Sequence, residues 1–382
     1  MADLRSGLTG LPPEVTPMTT TQKAPTPRVV HTSTDPIRLD RGERAHVGVD
    51  VHKLTYHVAI VSDRRGLITT WGQPAAPEVL LERLKPIHKP IAQVVYEAGP
   101  TGFGLVRRLR AEGYTAQVIA PSKLLVAAGP EAKGDRLDCR RLAVLSQKGL
   151  LRPVRVPTEQ EEADRQVIRL RGQLVRKSRT AQQQIKAFLL QHGIAEPAGL
   201  GHWSKRSVVA LRRLELRPGL RSSLDVLLDE REHAEREIAR VTKSLEELAE
   251  SERHREAVRV LRSVPGVGLV TALIFRLELP EPGRFENAGQ VAKMLGLAPQ
   301  VRQSGQTRRE GGLRKSGNPR LRTGLVEAAW RWVKVDEAAA ARYRKLVANT
   351  GSGRKAIVGM ARRLGVLLWR LSVRGEEYQM SA

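Results

Sequence analysis

Apolar and polar positions change rhythm along this chain. From Arg44 to about Lys148, short apolar runs alternate with helical stretches. His46–Val51, Leu54–Val61 and Gly66–Trp71 are predicted strands, the last two joined by the turn Ser62–Gly66. Two tight connections make these three an antiparallel meander. A helix is predicted over Pro77–Leu84, a strand over Ala92–Tyr96, a helix over Gly102–Glu112, a strand over Thr115–Ile119 and a helix from about Arg136 to Lys148. The order βββαβαβα predicts an α/β domain with a mixed sheet over 44–155.

Between 156 and 255 the period becomes helical. Val167, Leu170, Leu174, Ala181, Ile185 and Phe188 mark one long helix. Leu224, Leu227, Arg231, Ala234, Ile238, Val241, Leu245 and Leu248 step by three and four along a second. Seven of those eight positions are apolar, which predicts a coiled-coil arm, folded as a helical hairpin about the segment Gly193–Gly219 and able to pair between protomers. From 256 to 382 the chain reads as compact and all-α, with a Gly-rich basic loop from Gln303 to Asn318 and an amphipathic helix over Arg354–Val373. Residues 1–43 are rich in Pro, Thr and Ser and are expected to form a disordered tail.

Charge sharpens the picture. Of 382 residues, 65 are Lys or Arg and 40 are Asp or Glu, a net charge of +25. That excess selects a polyanionic partner, since each neutralised phosphate releases condensed counterions. Aromatic residues make up only 4%, so base stacking on a sheet surface is not the main device. No apolar run approaches the ~18–20 residues that span a bilayer. The lone Cys139 excludes an internal disulfide framework and a multi-cysteine zinc site. An intracellular protein that meets nucleic acid, with no membrane partner, is expected.

Three constellations could carry chemistry. Asp50 ends the first strand, Glu97 ends a later one, and Asp135 and Asp138 sit three apart at the start of a helix, on one face. Four such acids can hold two Mg²⁺ ions about 3.5–4 Å apart, which steady the attacking and leaving oxygens of a phosphoryl displacement. Each acid alone also reads as a solvated or helix-capping residue, but Asp50, inside Val49-Asp50-Val51, needs a cation or hydrogen bonds if buried. The second constellation is the basic loop, with Ser304-Gly305 and Ser316-Gly317 among Arg308, Arg309, Arg314 and Lys315, followed by Arg320 and Arg322. There a serine could attack a phosphodiester, or merely donate hydrogen bonds to phosphate. The third is Val264-Pro265-Gly266-Val267-Gly268, which fits a phosphate-binding helix-hairpin-helix turn or an ordinary helix end and restart. His52 and His57 follow Asp50 closely, but no third ligand accompanies them. The arginines Arg354, Arg362, Arg363 and Arg370 read as solvated surface or diffuse phosphate contact.

Taken in order, six motifs resemble one family. They are Val47-Gly48-Val49-Asp50-Val51-His52-Lys53, Glu97-Ala98-Gly99-Pro100-Thr101-Gly102, the run from Gly134 to Ala143, Val264–Gly268, Leu295-Gly296-Leu297-Ala298-Pro299, and the Ser304–Arg322 loop. Over about residues 44–375 they are similar to the DEDD transposases of the insertion-sequence 110 family, relatives of the Piv-type DNA invertases. The resemblance implies a RuvC-like (RNase H fold) N-terminal domain, a coiled-coil middle and a C-terminal transposase domain. It implies that Asp50, Glu97, Asp135 and Asp138 hold Mg²⁺ and that Ser304, rather than Ser316, is the nucleophile. Gly266, Gly268, Gly305, Arg308, Arg309, Arg314, Lys315, Arg320 and Arg322 would face nucleic acid. It further implies an oligomer (dimer or tetramer) in the bacterial cytoplasm, associated with the nucleoid. A structured noncoding "bridge" RNA would guide this oligomer, pairing with donor and target DNA. The expected activity is strand cutting and rejoining through a 5′-phosphoserine link. A hydrolytic RuvC-like nuclease or junction resolvase, and a noncatalytic nucleic-acid scaffold, are the rival readings.

Overall fold

The computed structural model describes residues 36–121, 135–304, 307–314 and 316–379. The greater part of the expected tail therefore lies outside the described residues. They divide into two compact units, one ending at Pro157 and one beginning at Thr158.

In the first unit β1 (Ala45–Val51), β2 (Thr55–Ser62), β3 (Gly66–Pro74), β4 (Ile91–Glu97), β5 (Ala116–Ile119) and β6 (Pro153–Val154) form one sheet in the order β3-β2-β1-β4-β5-β6. The meander β1-β2-β3 is antiparallel, β1, β4 and β5 run parallel, and β6 closes the far edge antiparallel. Helices α1 (Pro77–Leu84) and α2 (Gly104–Ala111) cover one face, packing Leu80, Leu84, Val106 and Leu109 onto Val47, Val49, Val58 and Val94. Helix α3 (Asp135–Gln147) covers the other, with Cys139, Leu142 and Ala143 against Ala59, Val61, Val95 and Ile119. Successive strand residues point to opposite faces, so Gly48 looks toward α3. A Cβ on Gly48 would lie 2.0 Å from the Cys139 carbonyl oxygen and 2.6 Å from the Ala143 nitrogen. Only a residue without a side chain lets α3 sit this low on the sheet.

Residues before β1 join this unit. Ile37 and Leu39 pack on its core, and Glu43, 2% exposed, receives Arg65 Nε at 2.8 Å and Nη2 at 2.6 Å together with the Ser62 hydroxyl. Those hydrogen bonds, that from Arg65 first, hold the Glu43 carboxyl down at about 2.

The second unit opens with two helices of 33 residues, α4 (Glu159–Gln191) and α6 (Pro218–Glu250), with α5 (Lys205–Arg212) between them. Thr158 and Glu161 form a reciprocal capping box that starts α4. Polar contacts fix the register of the pair. Arg171 Nε donates to Thr242 Oγ1 at 2.9 Å. Seven residues further along α4, Ser178 donates to Glu235 at 2.6 Å, seven residues back along α6. The helices are therefore antiparallel. The buried stripe of α6 is Leu224, Leu228, Ala234, Val241, Leu245 and Ala249, so Leu228 and Ala249 replace the expected Leu227 and Leu248. Arg231, the polar member of the expected seam, lays its guanidinium 5.0 Å from the Trp203 ring centroid.

Then follow α7 (Arg255–Arg262), α8 (Leu269–Glu278), α9 (Ala288–Met294), β7 (Pro299–Ser304), β8 (Thr307–Leu313), α10 (Pro319–Val335), α11 (Glu337–Thr350) and α12 (Gly353–Arg374) around one apolar core. The expectation of an all-α C-terminal part is corrected by the antiparallel β7–β8 hairpin. Its polar, arginine-rich strands carry no alternating apolar face, so periodicity could not reveal them.

Among the described residues no helix is long and apolar enough to cross a membrane. Gly48→Ala should cost about 1–3 kcal/mol or more, because backbone atoms of α3 must move to make room. Gly104→Ala, where a Cβ meets nothing within 4 Å, serves as the control and should be neutral. Urea unfolding of the full chain reads both.

Candidate active site

The pleat that turns Gly48 toward α3 does the same for Asp50, two residues on; Val95, packed on α3, does the same for Glu97. Parallel pairing sets Gly48 beside Val95 and Val49 beside Tyr96, so Asp50 and Glu97 come next, side by side at the ends of β1 and β4. Helix α3, seated low over Gly48 at Cys139, brings Asp138 to the same end. Glu97 reports this convergence: its carboxyl is raised above the ordinary carboxylate value by burial and by the charges of Asp138 and Asp50, with Arg141 partly opposing them. Asp135 opens α3, and its side chain lies outside the described residues.

The turn after Glu97 is held from below. Tyr96, fully buried, donates its hydroxyl to the Gly102 carbonyl at 3.2 Å and accepts Val106 N–H at 3.4 Å. Ala98 N–H reaches the Ile119 carbonyl at 2.8 Å, tying this turn to β5.

Two residues without an assigned part stand here as well. His52 Nε2 lies 3.1 Å from Asp50 Oδ2, and His57 is the cross-strand partner of Asp50. Their rings meet edge to face at 6.3 Å. The hairpin length was the signal that could have found His57, because a tight β1–β2 connection after Asp50 fixes its partner. Cys139 is not a candidate ligand, since burial pushes its thiol up to about 12.

Oxygen-only donors crowded enough to raise one another suit a hard dication in kind. Among the described residues, however, no three of the His, Cys, Asp or Glu side chains close into a metal-holding group. The structure thus shows acids within electrostatic reach, not a finished metal cage.

In the second unit the structure locates the other candidates separately. Ser304 is the last residue of β7 and pairs with Thr307 across the hairpin; Gly305, Gln306 and Lys315 lie outside the described residues. Arg308 and Arg309 are on β8, opposite Gln303 and Arg302, and Arg314 donates its backbone N–H to the Ala298 carbonyl at 3.1 Å. Ser316 is exposed after the hairpin. Gly266 packs on the backbone of α10, where a Cβ would meet Trp332 N at 2.6 Å, and Gly268 caps the start of α8.

Sequence reasoning did not find Glu278, the hub behind the hairpin. It is buried and receives Arg169 Nε and Nη2 at 2.9 Å each, with Asn318 Nδ2 at 2.9 Å and Arg320 Nη1 at 3.9 Å. Burial raises its carboxyl, but the hydrogen bonds and charges of these partners outweigh burial and hold it below the ordinary value. Asn318 also caps α10, accepting Arg320 and Leu321 N–H. Gly317, at φ +99°, lets this corner press onto Gly296, whose Cα would be 2.6 Å from a Cβ. Arg322 Nε is buried beside Gly296 and has no hydrogen-bond partner.

Two adjacent parallel strands of the mixed sheet, β1 and β4, thus carry carboxylates at their ends, Asp50 and Glu97. Comparison with known proteins gives the family. A profile of DEDD-type IS110 transposases matches residues 47–194, and one described as transposase IS116/IS110/IS902 family matches 258–344. The chain is 32% identical over 360 residues to "Putative transposase y4qE" of Sinorhizobium fredii, covering 86% of this chain and 88% of that protein. It is 26% identical over 343 residues to the transposase for insertion sequence element IS1111A of Coxiella burnetii, covering 88% and 92%. With the transposase for insertion sequence element IS1533 of Leptospira borgpetersenii it shares 28% over 298 residues, 75% and 85% of the two chains. The chain belongs to the IS110/IS116 family of insertion-sequence transposases.

The raised Glu97 carboxyl makes a prediction about stability. Folding favours its protonated form, so its contribution is present below the unfolded carboxylate value and is lost as pH rises through the higher folded value. Glu97→Gln removes that loss. Its thermal midpoint should exceed that of the wild type by a few degrees at neutral pH and match it near about pH 4.

Proposed function

We propose that this transposase cuts and rejoins DNA strands through a covalent serine link, with Mg²⁺ at the β1/β4 strand ends. The observation that carries the reading is the meeting of Asp50, Glu97 and Asp138 at one end of the mixed sheet, where burial and then the charges of Asp138 and Asp50 raise Glu97. Asp50, Glu97, Asp138 and Asp135 would hold two ions. Bound there, Mg²⁺ would supply charge stabilisation for a phosphoryl displacement. Asp50 and Glu97 belong to strands and Asp138 to a packed helix, so the acids are held in place without loop ordering. His52 holds the Asp50 carboxylate at 3.1 Å and limits its rotation.

Ser304 supplies the nucleophile. Its Oγ forms a bond to phosphorus and gives its proton to solvent, the bond from phosphorus to the 3′-oxygen breaks, that oxygen takes a proton from solvent and leaves as a free hydroxyl, and the protein remains joined to the 5′-phosphate. Attack by a second 3′-hydroxyl reverses these bonds and restores the serine. Bond energy is conserved, so no high-energy cofactor is needed. Ser304 ends a strand of an arginine-bearing hairpin, a cationic setting that favours an anionic phosphorane. The +25 charge serves both DNA and a structured noncoding guide RNA, to which sequence choice is delegated. The working particle is a dimer or tetramer, assembled in part through the α4–α6 arm as a coiled coil, and the kinship extends to Piv-type invertases.

The test uses the full chain with Mg²⁺, a plasmid bearing the element's ends and transcripts of its noncoding flanks. Ser304→Ala should abolish DNA–protein adducts and strand exchange, whereas Ser316→Ala should keep both. Asp50→Asn and Glu97→Gln should each slow cleavage by about 100-fold or more. Omitting the RNA should remove site choice. Cleavage by Ser304→Ala at the wild-type rate would identify a hydrolytic nuclease instead, and unchanged behaviour of Asp50→Asn a scaffold.

A further inference from the structure

The last two helices hold positive charge that the fold leaves unneutralised. Arg362, Arg363 and Arg370 of α12 and Arg342 of α11 line one concave cavity of about 540 Å³. None of the four forms an ion pair with a described residue. Their neighbours do: Arg344 pairs with Glu337 at 2.6 Å and Arg374 with Glu376 at 3.6 Å. Like charges gathered in a concavity repel one another at some cost, and a bound anion removes it.

The cavity also has an apolar part. Val366 and Leu367, each about one helical turn from arginines of α12, are half-buried and line the same space. Beneath them Asp336, 5% exposed, accepts the Tyr378 hydroxyl at 2.7 Å, the Ala339 N–H at 2.8 Å and the Trp332 indole N–H at 3.2 Å. This carboxylate is thus turned inward onto neutral donors and does not answer the arginines.

Cations around an apolar floor, in a space of small-ligand size, ask for a ligand that is both anionic and flat-faced. A duplex offers only phosphate and sugar to such a hollow, because its bases are stacked inside. An unpaired nucleotide offers phosphates to the guanidinium groups and a base to the floor, and guanidinium planes stack on bases as well. We infer that this cavity seats an unpaired nucleotide of a nucleic-acid strand, its flanking phosphates held by Arg342, Arg362, Arg363 and Arg370. The inference does not depend on the role of Ser304.

Affinities of the full chain for labelled 12-mers of single-stranded DNA, single-stranded RNA and duplex DNA, measured across salt concentrations, test it. Arg362→Gln with Arg363→Gln keeps helix-forming residues and removes two charges. Single-strand affinity should fall about tenfold or more, with a salt slope shallower by about 1.4, while duplex affinity falls less than about threefold. The better of the DNA and RNA strands identifies the source of the nucleotide. Removing equal charge from the exposed Arg213 and Arg236 should spare single-strand binding. The thermal midpoint should hold or rise. Should the double variant fail to fold, Arg342→Gln on α11 replaces it, with a slope change of about 0.7. Equal losses for duplex and single strand, equal losses from the control pair, or no loss at all would overturn the proposal.

Discussion

Everything in the first unit follows from how closely α3 can approach β1. Gly48 removes the side chain that would hold this helix off, and Cys139 and Ala143 then rest almost on the strand backbone. That approach places Asp138 at the strand ends where Asp50 and Glu97 emerge, and burial, together with the charges of Asp138 and Asp50, raises Glu97. The cost of holding acids together belongs to the fold; a dication is the simplest agent that would convert it into binding.

Much of this was legible in the sequence, because the first unit is built from periodic elements. Short apolar runs placed β1, β2 and β4 to within a residue or two, and helix Pro77–Leu84 stands as expected. The acids could be singled out because Asp50 interrupts Val49-Asp50-Val51 and Glu97 follows Val94-Val95-Tyr96. Gly48 was quoted within its motif, but its purpose is a contact with a residue 91 positions away, and periodicity carries no such information. The pairing of Asp50 with His57 was within reach, since it follows from a tight hairpin alone.

The second unit was read less well for physical reasons. The strands of its β7–β8 hairpin are polar and arginine-rich in sequence, so nothing in their hydrophobic pattern marks them as strand. The α6 stripe buries Leu228 and Ala249 where the heptad expected Leu227 and Leu248, each one residue further along, while Leu224, Ala234, Val241 and Leu245 stand where expected. Glu278 sat unremarked in an apolar helix, yet Arg169, Asn318 and Arg320 converge on it from α4 and α10. The Gly317-Asn318 corner of the Ser304 hairpin is thereby anchored to the base of the helical arm. A motif residue expected to meet phosphate can in this way stand in a structural contact, as Arg320 does 3.9 Å from Glu278.

Manganese binding measured by electron paramagnetic resonance on the full chain addresses the central claim most directly. The account expects wild-type protein to take Mn²⁺ out of the free-ion signal, Mg²⁺ to displace it, and Asp50→Asn or Glu97→Gln to lose it. Wild-type protein that leaves the free-ion signal intact, or variants that bind as well as wild type, would contradict it.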